Sequence, residues 1–272
     1  MISKFPNLVE QYNFIFEQRN MGAQFVINHS GGKDSQAMYL ELMGLGIPHD
    51  QITVIHCDLG EIEHDGAQDH IRATIDHELI VVGAAKTLFD MVRNRKATRP
   101  DAPSWPSPAY RQCTSDLKRD PVAKWIRNSG HKLVINCMGI RAGESGARAK
   151  KSALAQDNRL SKAGREVFTW YPIFEWNCRT DDQWVDGMVD DVFGEIEEHG
   201  QQPHQVYLEG NDRMSCVFCI MGSRNDFANG ARLNPELLQK YAALEVEVGY
   251  TMFDGETVLE RAGIIITDKG GK

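Results

Sequence analysis

Phe25-Val26-Ile27-Asn28-His29-Ser30-Gly31-Gly32-Lys33-Asp34-Ser35-Gln36-Ala37-Met38-Tyr39-Leu40 is the stretch that decides the fold. An apolar run ends in a glycine turn, and the turn feeds a segment of helical character that continues through Glu41-Leu42-Met43. A strand that stops in a tight turn and opens into a helix makes an anion site. The turn's amides converge, and the helix adds its unpaired N–H groups and the positive end of its dipole. Gly31 and Gly32 permit positive φ and a close approach of phosphate to the backbone. Lys33 adds a point charge, and Ser30 and Ser35 add hydroxyl donors. The spacing is not that of the Walker loop G-x-x-x-x-G-K-S/T. By composition alone the hexamer would pass for an ordinary glycine turn; the strand–turn–helix context favours a nucleotide phosphate.

Working outward, apolar residues at Leu8, Tyr12, Ile15 and Phe16 predict an amphipathic helix over residues 7–20. Strands are predicted at 24–28, 52–57, 79–82, 132–137 and 167–171. Helices are predicted at 34–45, within 66–77, near 88–92 and at 181–192. Gly46-Ile47-Pro48 ends the first long helix. Residues 97–110 carry Pro100, Pro103, Pro106 and Pro108 and read as a long irregular loop. Asp120-Pro121 reads as the N-cap and first turn of a helix to about 128. The polar stretch 143–165 reads as a flexible loop over the site. Strands alternating with helices predict an α/β fold, a doubly wound parallel sheet with helices on both faces. Ligands of such sheets sit beyond the carboxyl ends of the strands. The expected organisation is an α/β nucleotide-binding domain over 1–198 and a C-terminal extension over 199–272.

The chain has 272 residues, 42% of them hydrophobic, enough for a sizeable core without disulfide staples. A net charge of −8, from 30 basic and 38 acidic residues, argues against a broad non-specific nucleic-acid surface, while leaving room for a local basic patch. No apolar run reaches membrane-spanning length. The start, Met1-Ile2-Ser3-Lys4-Phe5-Pro6, lacks a signal-peptide core, and the six unevenly spaced cysteines read as thiols or metal ligands. The expected location is the cytoplasm.

Six motifs follow one another in a fixed order: residues 30–35, then Asp58-Leu59-Gly60-Glu61, then Cys113-Thr114-Ser115-Asp116-Leu117-Lys118 with Pro121. Gly139-Ile140-Arg141-Ala142-Gly143-Glu144-Ser145 with Arg148 comes next, then Tyr171-Pro172-Ile173-Phe174-Glu175-Trp176 with Trp184. Residues 207–210 with Arg213-Met214-Ser215-Cys216-Val217-Phe218-Cys219 close the series. The hexamer resembles the PP-loop of the ATP pyrophosphatase superfamily, whose members cleave ATP between the α and β phosphates. The ordered set is similar to the phosphoadenosine-phosphosulfate reductase family within it, the branch that also holds sulfate-adenylating and DNA-sulfur-modification enzymes. The resemblance implies an adenine nucleotide alpha hydrolase-like sheet and ATP, or a related adenine nucleotide, as ligand.

Each motif also has its own chemistry. Asp58, at the end of the second strand, suits Mg²⁺, ribose or an acceptor substrate, or is a solvated loop carboxylate. Arg141 and Arg148 match phosphate oxygens in two-point fashion, or form surface ion pairs. Lys118 reads equally as a solvated helix-turn lysine. Trp176 and Trp184 read as core packing rather than substrate stacking. His56 carries no assigned role. Two cysteines at the spacing of Cys216 and Cys219 bite one metal or cluster, act as a redox dithiol, or pack as thiols. The resemblance adds Cys113 as a distant third ligand. The set would hold a 4Fe–4S iron-sulfur cluster, with zinc the competing metal. Cys57, Cys137, Cys178 or a non-protein group would be the fourth ligand, though Cys137 and Cys178 read better as packed thiols.

Two departures from the family shape the expected reaction. Its reductases carry a C-terminal Glu-Cys-Gly whose cysteine attacks the sulfonucleotide, and no cysteine follows Cys219 here. Reductases also alter the phosphate loop, whereas this chain keeps Ser-Gly-Gly-Lys-Asp-Ser. Both favour ATP. The expected catalytic residues are Lys33, Arg141 and Asp58. Ser30, Gly31, Gly32, Lys33, Asp34, Ser35 and Arg148 bind the nucleotide with Mg²⁺, and Cys113, Cys216 and Cys219 bind metal. The acceptor would be sulfate, a nucleobase or a DNA phosphate, and a sulfur-donor or reductant protein is an implied partner. The alternatives are a sulfonucleotide reductase using an external thiol and a non-catalytic nucleotide-binding partner subunit.

Overall fold

A computed structural model describes residues 7–176 and 191–264. In chain order, α1 (Leu8–Asn20) leads to β1 (Gln24–Asn28), α2 (Lys33–Gly44), β2 (Ile52–Asp58), α3 (Ala67–Thr74), β3 (Leu79–Gly83) and α4 (Leu88–Thr98). After the Pro-rich loop come α5 (Asp120–Asn128), β4 (Leu133–Met138), α6 (Gly146–Ala149), β5 (Leu154–Gln156) and β6 (Glu166–Trp170). Beyond residue 190 lie α7 (Val192–Glu198), α8 (Gln205–Leu208), α9 (Arg224–Leu233), α10 (Pro235–Val248) and α11 (Val258–Arg261).

The strands form one six-stranded sheet in the order β3-β2-β1-β4-β6-β5. β1 is central. It pairs in parallel with β2, Phe25 opposite Ile52, and with β4, Phe25 opposite Ile135. Phe25, Val26 and Ile27 have no exposed surface, as expected of a parallel strand covered on both faces. β4 pairs in parallel with β6, and helices flank the sheet. The expected α/β class and parallel sheet are therefore present.

Three local expectations are corrected. The supposed loop 143–165 contains α6 and the edge strand β5, which runs antiparallel to β6 with Leu154 opposite Trp170. Only three residues pair there, and Leu154 alone is buried, so no alternating pattern was long enough to read. The helix expected to start at Asp120 begins earlier. A π-helical turn, Thr114–Arg119, runs straight into α5, and Asp120 itself is helical at φ −72°, ψ −39°. Pro121 has no N–H and would crowd the carbonyl of Leu117 in a regular helix; a widened turn upstream relieves that. Helix α4 continues to Thr98, past the expected stop at 92, begun by a reciprocal cap in which Thr87 Oγ1 accepts the Asp90 N–H at 3.1 Å. The helix expected over 181–192 falls mostly outside the described residues.

The chain divides into two interleaved units. The first runs through His56 and takes Gly66–Val82 and Val122–His204. The second takes Cys57–Asp65, Gly83–Pro121 and the chain from Gln205 onward. The expected single boundary at 198/199 lies near the last of these crossings, and two earlier segments join the C-terminal part. In the first unit the core gathers around Phe25, Ile27, Met38, Leu42, Ile135 and Trp170. In the second it gathers around Phe218, Phe227, Leu238 and Tyr241. Trp105 pins the Pro-rich loop into that second core, stacked on Tyr241 at 5.7 Å and donating Nε1–H to the Tyr250 carbonyl at 2.8 Å. No helix among the described residues is long and apolar enough to cross a membrane.

Candidate functional site

The strand order reverses at β1. Its successor β2 lies on one side and β4 on the other, so the loops after β1 and β4 open at the sheet's switch point. The loop after β1 is the Ser30-Gly31-Gly32-Lys33-Asp34-Ser35 turn. Gly31 takes a left-handed φ of +77°. Gly32 does not; it caps α2 in extended backbone, φ −80°, ψ 158°, with no side-chain bond to the helix start. Lys33 is the first helical residue, buried, with Nζ 5.5 Å from the Phe193 ring centroid.

Side chains lock the turn from within. Ser35 Oγ donates to the Gly32 carbonyl at 2.8 Å and accepts the Ser30 N–H at 3.1 Å. His29 Nδ1 accepts the Gly31 N–H at 3.1 Å. Two amides of the turn are thus engaged inside the loop, while the start of α2 carries no side-chain cap. His29 is itself fixed. Its N–H donates to the Ile55 carbonyl at 2.9 Å, and its own carbonyl meets His56 Nδ1 at 2.9 Å. Burial, with His70 and His56 nearby, pushes the His29 pKa down to about 3. His56 carries no role by sequence, and His29 is not among the expected site residues. A histidine directly before the turn was the available signal.

The loop after β4 comes against this turn. A Cβ on Gly139 would lie 2.7 Å from the Asp34 carbonyl oxygen, so only glycine lets the two backbones meet. Arg141 is buried, and its Nε donates to Asp34 Oδ1 at 2.5 Å. The guanidinium thus meets the loop through its carboxylate. Glu144 accepts the Arg141 N–H at 3.0 Å and pairs with Arg148. Asp58 ends β2, exposed, with Oδ1 accepting the Gly60 N–H at 2.7 Å.

The second unit gathers thiols. Cys216 and Cys219 share a hydrogen bond, and Cys113 and Lys118 lie within electrostatic range. That bond from Cys216 holds the Cys219 thiol down at about 5 against burial, helped by the Met221 N–H at 3.5 Å and by Lys118. Cys216 is pushed well up by the same bond and by burial. Burial works against the Lys118 charge, but the three thiols and Glu63 outweigh it and raise the Lys118 pKa. Lys118 is therefore a half-buried counter-charge, not a solvated lysine. Tyr241 is fully buried, its pKa pushed well up by burial and by the neighbouring thiols, and its hydroxyl has no partner among the described residues.

This donor set, soft sulfur with a cationic counter-charge and an orphaned hydroxyl, fits a thiophilic metal or cluster in its chemistry. Among the described residues no three His, Cys, Asp or Glu side chains stand close enough to close around an ion. Cys57 Sγ donates to the Lys118 carbonyl at 3.0 Å, and Cys137 is packed in β4. Trp176 lies in the first core, as expected. Cys178 and Trp184 lie outside the described residues.

A largely parallel α/β sheet that presents a Ser-Gly-Gly-Lys-Asp-Ser turn at its switch point has the architecture of the PP-loop superfamily. The sequence profile of the phosphoadenosine phosphosulfate reductase domain matches residues 24–221, and the chain belongs to that family of enzymes. It is 29% identical over 144 residues to an uncharacterised 37.8 kDa protein of Escherichia phage 186, covering 52% of this chain and 39% of that one. It is 23% identical over 219 residues to an uncharacterised protein of Methanocaldococcus jannaschii, covering 79% of this chain and 40% of that one. The matches thus span about two fifths of the length of these curated relatives.

Proposed function

We propose that this chain is an ATP-dependent PP-loop enzyme that cleaves ATP at the α–β bond and adenylylates an acceptor, in sulfur metabolism or sulfur modification. The observation that carries the reading is the intact Ser-Gly-Gly-Lys-Asp-Ser turn, closed by its own serines and opening onto the uncapped start of α2. The β and γ phosphates would lie against that helix start, with Lys33 neutralising charge. An acceptor oxygen attacks the α-phosphorus. The bond to the bridging oxygen breaks, and pyrophosphate leaves with the electron pair. Positioning and electrostatics supply the catalysis. Arg141 acts by holding Asp34, and Arg148 by holding Glu144, which anchors the Arg141 backbone. Mg²⁺, when bound with the nucleotide, would offset phosphate charge, and Asp58 is the carboxylate proposed to meet it. Sulfate, a nucleobase or a DNA phosphate is the proposed acceptor. A sulfur-donor or reductant protein is the proposed partner, and the cytoplasm the proposed location.

Cys113, Cys216 and Cys219 would hold a 4Fe–4S cluster, or zinc in its place. Such a group would supply sulfur or electron chemistry, and Lys118 would balance its thiolate charge. Iron, acid-labile sulfide and zinc analysis of anaerobically purified protein tests this apart from the nucleotide reading.

The main test measures pyrophosphate released from ATP with each acceptor class, beside sulfite released from the sulfonucleotide. Pyrophosphate that appears with an acceptor and is lost in Lys33→Ala supports the proposal. Sulfite release with an added thiol protein, and no pyrophosphate, supports the reductase reading instead. ATP binding without either product would make the chain a nucleotide-binding partner subunit.

A further inference from the structure

The loop's hydrogen bonds leave His29 one arrangement. Ser35 Oγ carries a single proton, and the 2.8 Å contact with the Gly32 carbonyl uses it. Ser30 Oγ, 3.2 Å away, is then a donor to Ser35, as is the Ser30 N–H. At 3.4 Å from His29 Nδ1, Ser35 therefore has no proton to give the imidazole. The one donor left for Nδ1 is the Gly31 N–H at 3.1 Å. Nδ1 must carry a lone pair, so the proton of the neutral ring sits on Nε2. That nitrogen is buried and has no hydrogen-bond partner among the described residues.

An orphaned buried N–H is costly, because it gives up its bond to water and gains none in return. The ring bears it while its other face holds a glycine in left-handed backbone. Protonating the ring would set one donor against another, Nδ1–H against Gly31 N–H, and release the turn.

We propose that His29 is a positioning residue for the phosphate turn: its neutral imidazole, protonated on Nε2, fixes the Gly31 peptide through Nδ1 and so aims the start of α2 at the nucleotide phosphates. His56 supports it by donating Nδ1–H to the His29 carbonyl, which anchors the backbone on which the ring stands. The nucleotide part of this proposal rests on the ATP reading above; the part that concerns the turn does not.

The experiment compares wild type, His29→Ala and His29→Asn, an amide whose oxygen can stand where Nδ1 does. Each variant is first checked for native far-UV circular dichroism. Exchange of the Gly31 amide with deuterium is followed by NMR without ligand, and affinity for a non-hydrolysable ATP analogue with Mg²⁺ is measured by calorimetry. Gly31 protection falling at least tenfold in His29→Ala and recovering in His29→Asn is the expected result, with affinity lost and regained in step. Unchanged Gly31 protection in folded His29→Ala overturns the proposal, as does a His29→Asn variant that folds yet behaves like His29→Ala. Wild-type protein that binds no analogue defeats the ATP reading and with it the aiming role, while Gly31 exchange still decides the turn. Analogue binding equal in wild type and His29→Ala defeats the aiming role and spares the ATP reading.

Discussion

Tyr241 places a hydroxyl among three thiols and gives it nothing to bond to among the described residues. Removing an unsatisfied buried hydroxyl recovers its desolvation cost. Tyr241→Phe is therefore expected to stabilise metal-free protein by about 1–3 kcal/mol, read as a raised urea midpoint. If the thiols hold a sulfide-bearing group, the hydroxyl gains an acceptor there. The same variant should then lose iron faster to a chelator in loaded protein. His29 makes a second prediction. Its pKa falls from 6.5 to about 3 on folding, mainly through burial. The unfolded chain binds the extra proton across that window, so the stability His29 contributes is whole above pH 6.5 and drains away as pH falls. By pH 5 the loss from this residue is about 2 kcal/mol. His70, lowered to about 4 by burial and His204, acts in the same direction. Urea midpoints at pH 7, 6 and 5 check this, and His29→Asn should flatten the slope.

At the level of elements, the meeting of β4 with α2 depends on a missing side chain. In Gly139→Ala the new Cβ would sit 2.7 and 2.8 Å from the Asp34 carbonyl oxygen and carbon and 3.0 Å from the Ser35 nitrogen. All three are backbone atoms and cannot swing aside. A destabilisation of about 1–3 kcal/mol is expected, with a greater than tenfold loss of nucleotide affinity, against a neutral Gly143→Ala control that meets nothing within 4 Å. Denaturant melts and calorimetry measure both. The strand–turn–helix around Gly31 was legible in sequence because strand and helix periodicities meet at one glycine pair. The Arg141–Asp34 pairing was not, because two residues 107 apart in sequence leave no local trace of which anion a guanidinium meets. Nor was the π turn at Thr114–Arg119, since Asp120-Pro121 carries the signal of a helix start and only the preceding turn shows it lies inside one. The His29 contact was hidden for a simpler reason: a histidine's tautomer is fixed by what surrounds it, and surroundings appear only on folding.

Across the whole molecule, the second unit is assembled from three separated stretches. Leu88, Phe89, Val92, Trp105 and Leu117 come from the middle of the chain, and Phe218, Phe227, Leu238 and Tyr241 from its last part. A chain stopped after His204 would keep the first group and lose the second. It is expected to bind a hydrophobic dye strongly or precipitate; a soluble, cooperatively melting product would show that the middle segments need no later partner. In sequence the final part looks like an appendage because its CxxC motif falls beyond the last alternating strand and helix, and composition does not reveal that earlier segments pack with it. The interleaving also sets a schedule for biosynthesis. Segment 57–65 leaves the ribosome about 200 residues before Val258. At the usual pace of translation, that is a wait of roughly 10–40 s. Through that interval the nascent polypeptide displays half a core with no partner, which makes it a natural client for chaperones that bind emerging chains.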